Sequence, residues 1–175
     1  MSFNLEEMKS KHKVLKDYSY KLGKADKGYN NRSLFINLST KEIKEKPVSD
    51  QMIDKFVGGK GFSLRLLWDS VKDTTKWDDP ENALCMSCGP VGGNTNYPGS
   101  GKTIVCTISP MTGIPIDSNV GGHFGPYLKF SGFDALEIRG KAKNDVIIFI
   151  DGDMGHVKIY EAPLEAIDAH VLSQQ

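Results

Sequence analysis

The chain alternates short apolar runs with polar, glycine-punctuated stretches, and this pattern predicts many strands and few helices. Ser33-Leu-Phe-Ile-Asn-Leu38 reads as a strand and Lys41–Pro47 as its hairpin partner, with Ser39-Thr40 in the turn. Ser49-Asp50 caps a short helix over 51–57, stopped by Gly58-Gly59. Over Lys60–Val71, the residues Phe62, Leu66 and Val71, with Leu64, Leu67 and Trp68, give a second helix a wide apolar face. Asp78–Asn82 is a turn, Ala83–Ser87 a short buried strand, and β-branched Thr103–Ile108 a central strand. Gly121–Phe130 is predicted as a short helix with glycines at its N-terminal end and Phe124, Leu128 and Phe130 turned inward. Asp134–Arg139, Asp145–Ile150 and His156–Tyr160 are three further strands, the last two joined through Asp151-Gly152-Asp153. Pro163–Leu172 opens a final helix with proline near its first turn. Residues 1–30 carry lysines and scattered apolar positions without a clear period. They are expected to be a leader or docking arm, with order starting near Asn31. The outcome is an α+β, β-rich domain over residues 31–175.

Composition narrows the function. Lys plus Arg and Asp plus Glu number 22 each, a balance that argues against nucleic acid as a partner. The longest apolar run, Val146–Ile150, is far too short to span a membrane, and the acidic start Met1-Ser-Phe-Asn-Leu-Glu-Glu has no secretory pattern. Three cysteines fit reduced thiols in a cytoplasm. The sequence ends inside a predicted helix, so a fragment or one subunit of something larger is expected.

The chemistry concentrates between Cys88 and Gly132, where most of the glycine excess falls. Gly99-Ser-Gly-Lys-Thr103 imitates a nucleotide-binding P-loop, but Asn96 stands where its first glycine belongs. A β-branched strand follows where that motif needs a helix, so an NTPase is excluded. Bare backbone N–H groups and one cation are what a dianionic phosphate requires, and Lys102, Asn119, Gly121 and Gly122 supply those types. The plainer alternative is that Lys102 is a solvated strand end and Asn119 a turn former. Cys85-x-x-Cys88 with Cys106 lacks a fourth metal ligand, and Cys85 sits in an apolar strand where a small hydrophobe belongs. Trp68 and Trp77 read as core or interface residues, and His12 and His156 have no visible partner.

The ordered segments Val57-Gly-Gly-Lys-Gly61, Pro80-Glu-Asn82, Gly89-Pro-Val-Gly92, Ser109-Pro-Met-Thr-Gly113, Asn119-Val-Gly-Gly-His-Phe-Gly125, Leu128-Lys-Phe-Ser-Gly-Phe-Asp134 and Gly140-Lys-Ala142 carry a more specific signal. Together they resemble the N-terminal domain of the aldehyde ferredoxin oxidoreductase family, the tungsten-pterin enzymes. The resemblance covers roughly Arg32 to Tyr160. It implies a two-sheet, β-rich base that cradles a tungsten (or molybdenum) bis-pterin, with Mg²⁺ shared by the pterin phosphates. It further implies that the main-chain carbonyl of Asn119 is a Mg²⁺ ligand and that Lys102 faces a phosphate where some relatives carry arginine. Lysine keeps the charge there but not the bidentate fork. Gly121 and Gly122 would present N–H groups to the cofactor, and His123 would lie beside it in a packing or supporting role. A 4Fe–4S cluster would be held elsewhere, since this chain lacks the family's cysteine run.

The function expected from this resemblance is the cofactor-cradling domain or subunit of an enzyme that oxidises aldehydes to carboxylic acids. Its partners would be C-terminal domains or a second subunit carrying the cluster, with ferredoxin as electron acceptor. A homo-oligomer is compatible with the sequence. No catalytic residue is expected in this chain, and alone it should not turn over. The alternative is a non-catalytic pterin- or phosphate-binding assembly or partner module. A purely structural domain is a third reading, and it predicts no affinity for anions.

Overall fold

The computed structural model describes residues 12–162. In chain order the elements are β1 (Val14–Ser19), β2 (Arg32–Asn37), β3 (Glu42–Pro47), α1 (Asp50–Phe56), α2 (Lys60–Ser70), β4 (Ala83–Ser87), β5 (Thr103–Ile108), β6 (Pro115–Val120), α3 (Phe124–Phe130), β7 (Ala135–Arg139), β8 (Val146–Asp151) and β9 (His156–Glu161). The strands form a six-stranded sheet, order β3-β2-β7-β4-β5-β6, and a three-stranded sheet, order β1-β9-β8. The fold is therefore α+β and β-rich, as its strand-heavy pattern requires. The helix predicted at Pro163–Leu172 lies outside the described residues, as do residues 1–11.

β2 is buried along nearly its whole length because both faces are covered, which explains its continuous apolar run. It pairs antiparallel with β3 and parallel with β7. One face of this half of the sheet meets the small sheet: Leu34, Ile36, Phe133, Leu136, Val157 and Ile159 share one core. Complete burial of such side chains stabilises by roughly 1.5–3 kcal/mol each. On the other half, α2 lays Leu66 and Leu67 against Ala83, Cys85, Cys106 and Ala135. The α1 cap forms as its sequence indicates: the Ser49 hydroxyl accepts from the Met52 N–H at 3.2 Å.

Four expectations change. Regular structure is already present ahead of Asn31, the expected start: β1 pairs antiparallel with β9 from Val14↔Tyr160 to Ser19↔His156. Its mostly polar sequence hides a strand: its ladder partner β9 is distant in sequence, and its Leu15 and Tyr18 pack against the core that the two sheets share. Pro115–Val120 is also a strand. It starts on proline and carries Asp117, Ser118 and Asn119, poor strand formers that an edge position tolerates. This strand delays the following helix to Phe124. In α3 only Leu128 of the three apolar residues packs inward, whereas Phe124 and Phe130 are about half exposed (45% and 55%) and form an outward stripe with Tyr127. The core-or-interface reading of Trp68 and Trp77 narrows, because both are exposed and only the core half is excluded; Trp68 borders an apolar groove of about 450 Å³ with Val71, Ile114 and Pro115.

Candidate functional site

The glycine loops converge at one end of the large sheet. β4 ends there at Ser87, β5 begins there, and β6 ends there, because β5 runs antiparallel to both neighbours. The segment before α2 is tied to the same end. The Gly59 N–H donates to the Cys88 carbonyl at 3.0 Å, and the Ser87 hydroxyl donates to the Gly59 carbonyl at 2.5 Å. Ser63 and Ser87 exchange a further hydroxyl hydrogen bond at 2.8 Å. Val57, just upstream, sits at φ 61°, a costly conformation for a β-branched residue, and its carbonyl accepts from the Tyr29 hydroxyl at 2.6 Å.

Register decides which side chains share a face. Asp117 lies opposite Cys106 and Asn119 opposite Ile104. Residues directly opposite one another in a ladder point to the same side. Cys106 and Ile104 pack toward α2, so Asp117 and Asn119 project on that side too. The next step along the ladder places Lys102 against Gly121: a methyl at Gly121 would lie 3.6 Å from Lys102 Nζ. Lys102, Asn119 and Gly121 thus occupy one exposed face. Lys60, the first residue of α2, reaches the same face and pairs with Asp117 at 2.7 Å. That hydrogen bond raises the affinity of Lys60 for its proton.

Beyond Gly121 the chain crosses to the opposite side. Gly122 turns at φ 115°, and nothing lies within 4 Å of where its side chain would be. The same openness holds at Gly89 and Gly99. His123 is exposed and its ring lies 6.0 Å from Tyr127, so it belongs with the α3 stripe more than with Lys102. Below that turn the packing is tight. A methyl at Gly125 would approach Cys88 Sγ at 2.6 Å and collide with the Thr103 hydroxyl. The surface is therefore open above and dense beneath.

The cysteines separate. Cys85 faces Cys106 across β4–β5 in the α2 core, while Cys88 lies against Gly125 and Thr103 on the other side. Among the described residues no group of His, Cys, Asp and Glu is arranged to hold a metal ion. The histidines do find partners: His156 Nδ1 lies 2.8 Å from Asp17, and His12 Nδ1 lies 3.1 Å from the Glu161 carbonyl. Lys60 and Asp117 were not legible as site residues. Lys60 stands inside a motif readable from sequence, but only β6 pairing brings Asp117 to it.

Residues 33–174 match the model of the family described as "Aldehyde ferredoxin oxidoreductase, N-terminal domain", and the chain belongs to that family. It is 38% identical over 131 residues to the tungsten-containing aldehyde ferredoxin oxidoreductase of Pyrococcus furiosus, covering 75% of this chain and 21% of that protein. It is 31% identical to the aliphatic sulfonate oxidoreductase, WOR-like subunit, of the same organism, over 84% of this chain and 26% of the relative. Among solved structures it resembles the active site complex BamBC of benzoyl coenzyme A reductase, solved with 1,5-dienoyl-CoA. That match has a TM-score of 0.72 and 31% identity, and covers 77% of this chain and 20% of the other. The chain spans about a fifth of the length of the first of these relatives. No helix among the described residues is long and apolar enough to cross a membrane.

Proposed function

We propose that this chain is the part of a tungsten- or molybdenum-pterin oxidoreductase that seats the phosphate ends of the cofactor. The observation that carries this reading is the exposed face holding Lys102, Asn119 and Gly121, bordered by Gly122 with open space beside it. It fits the group: a phosphate dianion is favoured by a nearby ammonium, by small residues that let it approach the backbone, and by the absence of crowding. Lys102 would neutralise a phosphate, Gly121 and Gly122 would allow close contact, and the Asn119 main-chain carbonyl would be a Mg²⁺ ligand. His123 would border the site from the α3 side. When bound, the metallopterin supplies two-electron redox chemistry, and the protein supplies binding, orientation and electrostatics.

The rest of the enzyme follows from its relatives as proposal. Companion domains or a second subunit would carry a 4Fe–4S cluster and the substrate pocket, with ferredoxin taking the electrons in a cytoplasmic, anaerobic setting. Oxidation of an aldehyde to a carboxylic acid is the reaction of first choice. The sulfonate oxidoreductase and benzoyl-CoA reductase relatives make a different low-potential substrate the second reading. A non-catalytic pterin-binding module would share the same face but no turnover.

The test is cofactor content. Protein purified anaerobically from its source, with its companion domains or subunits, should contain tungsten or molybdenum and a releasable pterin. Lys102→Met should lower both several-fold with folding intact. Full metal and pterin content in that variant would refute the placement of the phosphate.

A further inference from the structure

Lys60 is the least explained charge on this face. It heads α2, and the residue before it, Gly59, has its side-chain position 3.6 Å from Ile104 Cγ1. Ile104 is the residue opposite Asn119. α2 therefore begins beside Ile104, and Lys60 meets the ladder at Asp117, two residues along β6 from Asn119 and four from Gly121. In the structure the ammonium takes the Asp117 direction, at 2.7 Å. The pair is shallow, with Lys60 58% and Asp117 27% exposed. Such pairs contribute little to stability and are readily exchanged for a better partner.

Charge counting gives this arrangement a function. A phosphate end carrying about two negative charges meets the ammonium of Lys102, which has no carboxylate partner among the described residues, while the Lys60–Asp117 pair adds none net. If the Lys60 ammonium swings along the ladder toward Gly121, the phosphate end meets two cations. We infer that Lys60 is a second phosphate-binding cation, parked on Asp117 until the ligand arrives, so that Asp117 competes with the cofactor for Lys60. This inference rests on the reading of the face as the seat of the cofactor's phosphates.

The competition has an unusual signature. Removing an acidic residue from a phosphate site raises affinity through its own repulsion, but here most of the gain must pass through Lys60. The experiment uses the full protein with its companions, prepared without cofactor, and Mg²⁺-pyrophosphate as the probe in titration calorimetry. Lys60→Met should weaken binding about 3- to 10-fold, the effect of losing one partly solvated charged hydrogen bond. Asp117→Asn should tighten it by a similar factor, and most of that gain should vanish in the Lys60→Met background. Lys60→Arg should retain binding. In holoprotein, metal and pterin content should fall in Lys60→Met and hold in Asp117→Asn.

Failures at the two levels are separable. Loss of binding in Lys102→Met with wild-type binding in Lys60→Met would overturn the role of Lys60 and leave the phosphate seat standing. Wild-type binding in both would remove the seat and this inference with it. Weaker binding in Asp117→Asn would overturn the competition, because Asp117 would then be serving the ligand. If Lys60→Met fails to fold, Lys60→Arg and Asp117→Asn still decide: an unchanged affinity in Asp117→Asn overturns the inference.

Discussion

Lys129 Nζ lies 2.7 Å from Asp134 Oδ1, and both side chains are almost wholly withdrawn from water. The pair closes the turn between α3 and β7 and reaches beyond it. The same ammonium donates to the Gly28 carbonyl at 2.5 Å, and both Asp134 oxygens accept from the Asn30 N–H at 3.0 Å. Asn30 Nδ2 returns a bond to the Lys129 carbonyl at 2.9 Å. The segment Leu128–Asp134, readable as a motif, is thus a structural clamp holding α3 and the chain before β2 beneath the glycine loops.

Breaking that clamp from one side leaves a buried charge unpaired, which typically costs about 3–5 kcal/mol. Lys129→Met and Asp134→Ala should each lower the unfolding free energy obtained from urea denaturation by that much. The double variant should recover part of the loss, since no charge is then stranded. A double variant as unstable as the sum of the singles would show that the ammonium and carboxylate act through their other hydrogen bonds and not on each other.

Gly125→Ala should destabilise by about 1–3 kcal/mol, because the added methyl meets Cys88 Sγ and the Thr103 hydroxyl in a packed layer. Pairing it with Thr103→Ala or Cys88→Ala should return part of that stability. Thermal denaturation of the singles and pairs checks this; a neutral Gly125→Ala would mean that α3 can shift away from β5.

Gly121→Ala separates binding from folding. Its methyl would sit at ordinary contact distance from Lys102 Nζ, and its φ is not among the left-handed ones. Stability should stay within about 0.5 kcal/mol of the parent. Metal and pterin content of the holoprotein should drop, more so in Gly121→Leu. Wild-type content in the leucine variant would mean that nothing binds close to this backbone.

The buried thiols predict an alkaline limit. Burial pushes the Cys85 thiol far above its ordinary value of 9.0, with the Glu137 carboxylate adding to the effect, and burial raises Cys88 and Cys106 in the same direction. Between the unfolded and folded values the native state keeps protons that the unfolded chain has released. The contribution is therefore complete below about pH 9 and is lost as the pH rises beyond it. Urea midpoints should be level from about pH 7 to 8.5 and fall toward pH 10.5, more shallowly in Cys106→Ala. Iodoacetamide should label these cysteines only after denaturation. Fast labelling of the native protein would contradict this burial.

The local code was readable wherever a segment's pattern matched its own environment. The Leu34–Ile36 strand, the Ser49 cap and the apolar face of α2 follow from propensity, capping and periodicity, because each is decided by neighbours within a few residues. The family, too, was legible from glycines, prolines and polar residues in fixed order. β1 and β6 were not, since their strand state comes from partners far away in sequence: β9 for the first, β5 for the second. The candidate site divides in the same way. Lys102, Asn119 and Gly121 were named by residue type and order, while the pairing of Lys60 with Asp117 required the β5–β6 register. The sequence by itself determined which residues could meet a phosphate. Only the tertiary structure decided which of them share a face, because a one-residue change of ladder register would send Asp117 and Asn119 to the opposite side.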